Sequence, residues 1–321
     1  MKLKTDIGEE LGSFSVSAIR NCVESDEKRK LLNKIYQKLS FRKKQQFHKK
    51  FSKIFRKANY RGNSSRWKIN FAGKSILMPL KKGRMWLDWD SALSILGHEI
   101  EIKQTYEALI SSKQAPELFI DIGANYGTHS LLFLIHEIET LVFEPNKSCH
   151  AVFKEMCAMN NIATQVEGVA LGARNGRTRL IYPEKKTWNG STNVDIAQNF
   201  SPEYKVQSDN VKQKKLDAYL PRLKNKRNLI KIDTEGNELA VLKGAQKTLD
   251  ETKPMLIFES FGEGERQHLY DFLADKDFNI FSLPWYEKKM NFSLNSKSFL
   301  ADDSSNFIAV KVNPDYSRRN T

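Results

Sequence analysis

The sequence predicts an α/β fold: a mostly parallel sheet with helices on both faces, preceded by a basic helical segment. Three observations predict it. From Glu117 onward, short apolar runs alternate with amphipathic stretches, the pattern of repeated strand–helix units. The first run, residues 118–122, holds Asp121 and leads through a glycine-punctuated turn into a helical pattern. The third is size and composition. A chain of 321 residues, 40% hydrophobic and 28% charged, has enough apolar surface for a large α/β domain without disulfide or metal support.

The elements follow in order. Leu31, Leu32, Ile35, Tyr36 and Leu39 recur at helical spacing, and so do Phe47, Phe51, Ile54, Phe55 and Ala58, with Ser40 placed to cap the second helix. Residues 62–66 read as a linker, dividing a basic extension (1–66) from a catalytic domain (67–321). Alternation of Trp67, Ile69 and Phe71, a turn at Gly73, then Ile76 and Met78, gives a β-hairpin. Residues 89–112 read as a helix. Strands are expected at 118–122, 140–143, 165–170, 229–232, 255–259, 279–282 and 307–312. Helices are expected at 129–137, 147–160, 237–249 and 265–274. The interval 183–215 reads as a long polar loop in which Trp188, Asn189 and Ser191 are placed to close over a ligand.

Several classes are excluded. The longest apolar run is residues 131–135, far short of the roughly 20 needed to span a membrane. The first residues, Met1 to Asp6, have no apolar leader core, which sets the expectation of a cytoplasmic protein. Cys22, Cys149 and Cys157 are too few and too scattered for a disulfide framework or zinc site.

Charge is concentrated. Residues 28–87 contain twenty Lys/Arg and no Asp or Glu. The whole chain carries +14, so the remainder is net acidic. Such a segment seeks a polyanion. The expectation is peripheral association of residues 28–61 with an anionic membrane on its cytoplasmic side, the Phe face adding apolar contact. A helical hairpin docked by that face on the catalytic body is the competing expectation.

The turn after the first strand carries the chemistry. Asp121, Gly123, Asn125 and Gly127 form a D-x-G-x-N-x-G pattern, with Gly123 read as admitting a ligand and Gly127 as allowing helix packing. Asn125 stands where a dinucleotide site needs its second glycine, which disfavours NAD. Glu144 lies 21 residues beyond Gly123, at the end of the second strand, where a carboxylate takes both hydroxyls of a ribose. A nucleoside without phosphates, with a positive group near Asp121, fits this set, and S-adenosylmethionine is such a ligand.

These residues resemble the FkbM family of S-adenosylmethionine-dependent methyltransferases. The resemblance runs through residues 119–127, Val142-Phe143-Glu144-Pro145-Asn146, Val169-Ala170-Leu171-Gly172 with Asn175-Gly176, and Lys215-Leu216-Asp217. It continues through residues 230–238, Val241-Leu242-Lys243-Gly244-Ala245 and residues 254–259. It implies a class I methyltransferase fold, Rossmann-like, with seven strands and a reversed last strand. It also implies O-methylation, commonly of sugars or natural-product hydroxyls. Asp121, Gly123, Asn125 and Gly127 would form the cofactor turn and Glu144 would hold the ribose.

A hydroxyl acceptor is helped by a general base at the carboxyl edge of the sheet. Asp233 ends one strand there and Glu235 follows it; these are the expected catalytic pair, with Glu259 converging from the next strand. The alternative for Glu235 is a carboxylate bonded to backbone N–H groups at the helix start near Asn237. No metal is expected, although three carboxylates have the chemistry to hold Mg²⁺. His129 is expected to be packed rather than catalytic. The alternative function is an RNA methyltransferase recruited by the basic segment. Against it stands Ile232-Asp233-Thr234-Glu235-Gly236 where base-amino methyltransferases carry an Asn/Asp-Pro-Pro-aromatic motif.

Overall fold

The computed structural model describes residues 26–56, 65–80, 97–183, 190–193, 205–260, 263–287 and 291–311. The chain forms two compact units, Met1–Glu107 with Glu155–Ala163, and Ala108–Lys154 with Thr164–Thr321.

In the first unit, helices α1 (Asp26–Gln37) and α2 (Phe41–Arg56) make a hairpin. Of the expected stripe, Leu32, Tyr36 and Phe47 are buried, and the Tyr36 and Phe47 rings pack at 5.2 Å. Leu31 instead points outward, 57% exposed. Adjacent helical residues lie about 100° apart, so one of the Leu31–Leu32 pair must leave the narrow stripe. The side chains of Phe51, Ile54 and Phe55, and Ala58, lie outside the described set. Strands β1 (Ser65–Phe71) and β2 (Lys74–Leu80) form the expected antiparallel hairpin. Trp67 faces Met78 and Ile69 faces Ile76, all four fully buried, while Arg66, Lys68 and Asn70 alternate outward. Ala72 and Gly73 both have positive φ, the backbone that a two-residue turn matching strand twist requires. Helix α3 (Ile100–Ile110) covers part of the expected 89–112 helix; residues 89–96 lie outside the described set.

The second unit is built on seven strands: β3 (Leu118–Ile122), β4 (Glu139–Phe143), β5 (Val166–Glu167), β9 (Asn228–Ile232), β10 (Met255–Glu259), β11 (Asn279–Ser282) and β12 (Asn306–Val310). Their order is β11-β12-β10-β9-β3-β4-β5. Pairs from β10 to β5 are parallel, and β12 runs antiparallel to both neighbours. This is the seven-stranded arrangement with a reversed last strand that the family resemblance implies. Strands β3, β9 and β12 are buried at every position, as strands covered on both faces must be. The helices that follow α3 in the chain are α4 (Thr128–Leu134), α5 (Lys147–Met159), which the division between the units crosses after Lys154, the short α6 (Leu220–Leu223), α7 (Glu238–Lys243), α8 (Gln246–Thr252), α9 (Glu263–Ala274) and α10 (Ser296–Leu300). No described helix is long and apolar enough to cross a membrane.

Three local expectations need correction. The strand expected at 165–170 is two short strands, because the backbone turns at Gly168: the Val169 N–H donates to the Glu167 carbonyl. β5 joins the main sheet, and β6 (Ala170–Leu171) joins a three-stranded sheet with β7 (Gly176–Pro183) and β8 (Val206–Lys214). β8 falls within the expected loop. Its residues are polar and mostly exposed, so alternation could not mark it. Cross-strand pairs hold it instead: the Tyr182 hydroxyl donates to Asp209, and Arg177 and Arg179 to Asn210 and Ser208. The helix expected at 237–249 breaks at Gly244, where a Cβ would overlap the carbonyl of Gly172. Asp217 accepts from Thr248 N (2.8 Å) and Oγ1 (2.9 Å), restarting the chain as α8.

Candidate active site

Strand order reverses at β3. The chain leaves β3 toward β4 and β5 on one side and returns to β9 and β10 on the other. In open α/β sheets a crevice forms at the carboxyl ends of the strands at such a reversal. The site residues expected from the sequence all belong to the ends of β3, β4, β9 and β10 or to the turns that follow them.

On the β3–β4 side, Asp121 is buried. Its Oδ2 accepts from Ser130 N (3.1 Å) and Ser130 Oγ (2.6 Å) in α4. Its Oδ1 is buried and has no hydrogen-bond partner among the described residues. The β3–β9 register sets Asp121 beside Lys231. Burial raises the Asp121 pKa, and the Lys231 charge pulls against it. The turn that follows is left-handed at Gly123, Asn125 and Gly127. The reason Gly123 must be glycine differs from the one read from sequence. A Cβ there would overlap the backbone carbonyl of Asp233, so the close approach is between the ends of β3 and β9. At Gly127 a Cβ would overlap the ring of Phe153 in α5, which fits the packing role expected for it.

Glu144 is buried at the end of β4. Its Oε2 accepts from the Asn125 N–H (2.7 Å) and its Oε1 from the Asn146 N–H (2.6 Å). Burial pushes its pKa up to about 7 against those two donors, and the charges of Asp121 and Asp233 add to the rise. Each carboxylate oxygen keeps capacity for one more donor. A vicinal diol would supply two, so the geometry fits a ribose.

On the β9–β10 side, Asp233, Glu235 and Glu259 each offer a carboxylate oxygen within 4.8 Å of the others'. The convergence expected from sequence is present. It is also an all-oxygen donor set of the kind a hard divalent cation takes. Asp233 Oδ2 lies 2.6 Å from Lys231 Nζ; the lysine side chain is 4% exposed and that of Asp233 22%. Glu235 has φ 53, and its carbonyl accepts from Ser191 Oγ (2.7 Å). Asn193 Nδ2 donates to the Gly236 carbonyl (2.9 Å). Residues 190–193 are thus tied to the turn after β9, while Trp188 and Asn189 lie outside the described set. His129 is buried in α4.

Sequence reasoning missed Lys231 and Glu238. Lys231 interrupts the apolar run Leu229-Ile230-Lys231-Ile232, and a lysine in a strand buried on both faces needs an anion. That signal was readable. Glu238 takes the backbone-binding role considered for Glu235. Its Oε1 accepts from Thr234 N (2.7 Å), Thr234 Oγ1 (2.8 Å) and Gly236 N (3.3 Å). Burial raises its pKa to about 7.

Comparison with known proteins adds independent findings. Residues 121–280 match the family model of the methyltransferase FkbM domain. Methyltransferase sdnD of Sordaria araneosa is 25% identical over 205 residues, covering 53% of this chain and 77% of the relative. Among solved structures, methyltransferase FkbM from Methylobacillus flagellatus aligns with TM-score 0.37 and 17% identity over 72% of this chain. The chain spans 56% of that structure's length. A SAM-dependent methyltransferase from Agrobacterium tumefaciens aligns with TM-score 0.39 and 9% identity, covering 77% of this chain and 70% of its own.

Proposed function

We propose that this chain, whose residues 121–280 match the methyltransferase FkbM domain, methylates a hydroxyl of a sugar, glycoconjugate or natural product, using S-adenosylmethionine. The observation that carries the reading is the pairing of two unlike carboxylate sites across one strand reversal. Glu144, after β4, fits a ribose, and Asp233 follows β9 on the other side of β3, at the sheet edge with water access.

When bound, S-adenosylmethionine supplies an electrophilic methyl group on a sulfonium. The residues of this chain do the rest. Glu144 and the turn of Gly123, Asn125 and Gly127 hold the nucleoside. Lys231 keeps Asp233 oriented by taking Oδ2, leaving Oδ1 to receive the acceptor's hydroxyl proton. The cofactor turn and Glu144 would hold the methyl donor in line with the hydroxyl that Asp233 deprotonates, so that the group it supplies would pass to the acceptor oxygen. Alignment is most of the rate enhancement in such an in-line displacement, and a positioned base supplies the remainder. Glu235 and Glu259 line the same edge, where they can accept hydrogen bonds from further hydroxyls of a polyol acceptor.

Two measurements test this. Calorimetry should show binding of S-adenosylmethionine or S-adenosylhomocysteine and none of NAD. Radiolabelled methyl transfer to fractionated cell extract should place label in glycan or small-metabolite fractions as a base-stable ether. Label in RNA would transfer the reading to the nucleic-acid alternative, and NAD binding alone would overturn both.

A further inference from the structure

The α1–α2 hairpin shows what the basic segment has left to offer a partner. Among its described apolar side chains, Leu32, Tyr36 and Phe47 turn inward. Lys30, Lys34, Lys38, Arg42 and Lys43 are exposed. Glu27, at the start of α1, is the one exposed acid among the hairpin's described side chains. Phe47 is 6% exposed and so is spent on packing rather than presented for insertion. Tyr36 is also buried and Phe41 half-buried, so no described ring of the hairpin stands out as a platform on which a base would stack.

The kind of charge matters as well. Four of those five exposed cations are lysines. An ammonium is a compact, strongly hydrated point charge, suited to a diffuse anionic surface. Nucleic-acid recognition draws on the planar fork of arginine and on stacking. We infer that the outer face of the α1–α2 hairpin is an electrostatic docking surface for an anionic phospholipid membrane, held by lysine–headgroup attraction without insertion of an apolar face. A cluster of four to eight such cations suffices to hold a protein at an anionic leaflet.

Flotation of the full chain with vesicles tests this without reference to catalysis. Vesicles containing phosphatidylserine should bind the protein at low salt and release it at about 0.5 M salt, where the screening length falls to a few ångströms. Pure phosphatidylcholine vesicles should not bind it. Replacing Lys34, Lys38, Arg42 and Lys43 by Gln should weaken binding by about a hundredfold or more, at several-fold per cation, with the circular dichroism spectrum unchanged. Leu31→Ser should leave binding within about twofold, since a lone leucine contributes little where no apolar face inserts. Equal binding to neutral vesicles, or a large loss in Leu31→Ser, would overturn electrostatic docking. Failure to float with anionic vesicles, with or without retention of RNA on a filter under the same salt, would overturn the membrane assignment itself.

Discussion

On the β3–β4 rim of the crevice, Glu144 and Asp121 are buried and tied to backbone and serine donors. On the β9–β10 rim, Asp233 and Glu235 are reached by water, and Asp233 meets a buried lysine. Both rims are acidic, yet they are built for different work. A carboxylate fixed by N–H groups is preorganised to orient donors that come to it. A partly hydrated carboxylate can take up a proton and pass it to solvent. On the proposed reading, environment separates binder from base where residue type cannot.

The largest effect expected from breaking this contrast is on the open rim. Asp233→Asn should lower kcat by roughly 10²–10⁴, the usual range for a general base, with little change in cofactor affinity. Near-normal turnover would mean that alignment alone suffices, or that Glu235 or Glu259 serves as base.

Next comes the lysine beneath that rim. Lys231→Met removes the counter-charge beside Asp121 and Asp233 and should destabilise the fold by about 3 kcal/mol, as when one partner of a largely buried pair is lost. Urea denaturation of the ligand-free protein measures it. A change within error would show that Lys231 acts on catalysis alone.

The closed rim should respond more gently. Glu144→Ala is expected to weaken cofactor binding by about 1–3 kcal/mol through loss of hydrogen bonds to a charged acceptor. It also carries a pH signature. Glu144 and Glu238 have folded pKa values near 7, above the ordinary 4.5. The folded state therefore holds protons that the unfolded state has released between those values. Ligand-free stability should fall as pH rises from 4.5 to 7 and level off above. Hydroxyl donors of a ribose favour the ionised Glu144, so cofactor affinity should rise over the upper part of that range. A flat affinity profile from pH 6 to 8, unchanged in Glu144→Gln, would remove Glu144 from the binding site.

The smallest effect expected is that of a chelator. No step of the proposed transfer uses a cation, so turnover should change by less than about twofold when chelator is added, whereas a Lewis-acid cation would contribute several kcal/mol to the barrier. Loss of activity restored by Mg²⁺ would instead assign the Asp233, Glu235 and Glu259 oxygens to a cation.

Strands β3, β4, β9, β10, β11 and β12 were legible in the sequence because buried strands are short apolar runs with no need of distant information, whereas β7 was not anticipated and β5 and β6 were read as one strand. Asp121, Glu144 and Asp233 were legible because each stands at or beside the end of such a run. Strand β8 was not, since its polar residues are held by cross-strand partners some 30 positions away in the chain. Nor was the exposure of Leu31, which periodicity placed in the same stripe as Leu32. The sequence by itself determined the layer architecture and which carboxylates reach the carboxyl edge, because hydropathy and residue order are local properties of the chain. Only the tertiary structure decided which of those carboxylates binds backbone, which meets Lys231 and which stays open to water. Those are contacts between strand ends brought together by parallel pairing, and burial, charge and hydrogen bonding act there over a few ångströms of space rather than along the chain.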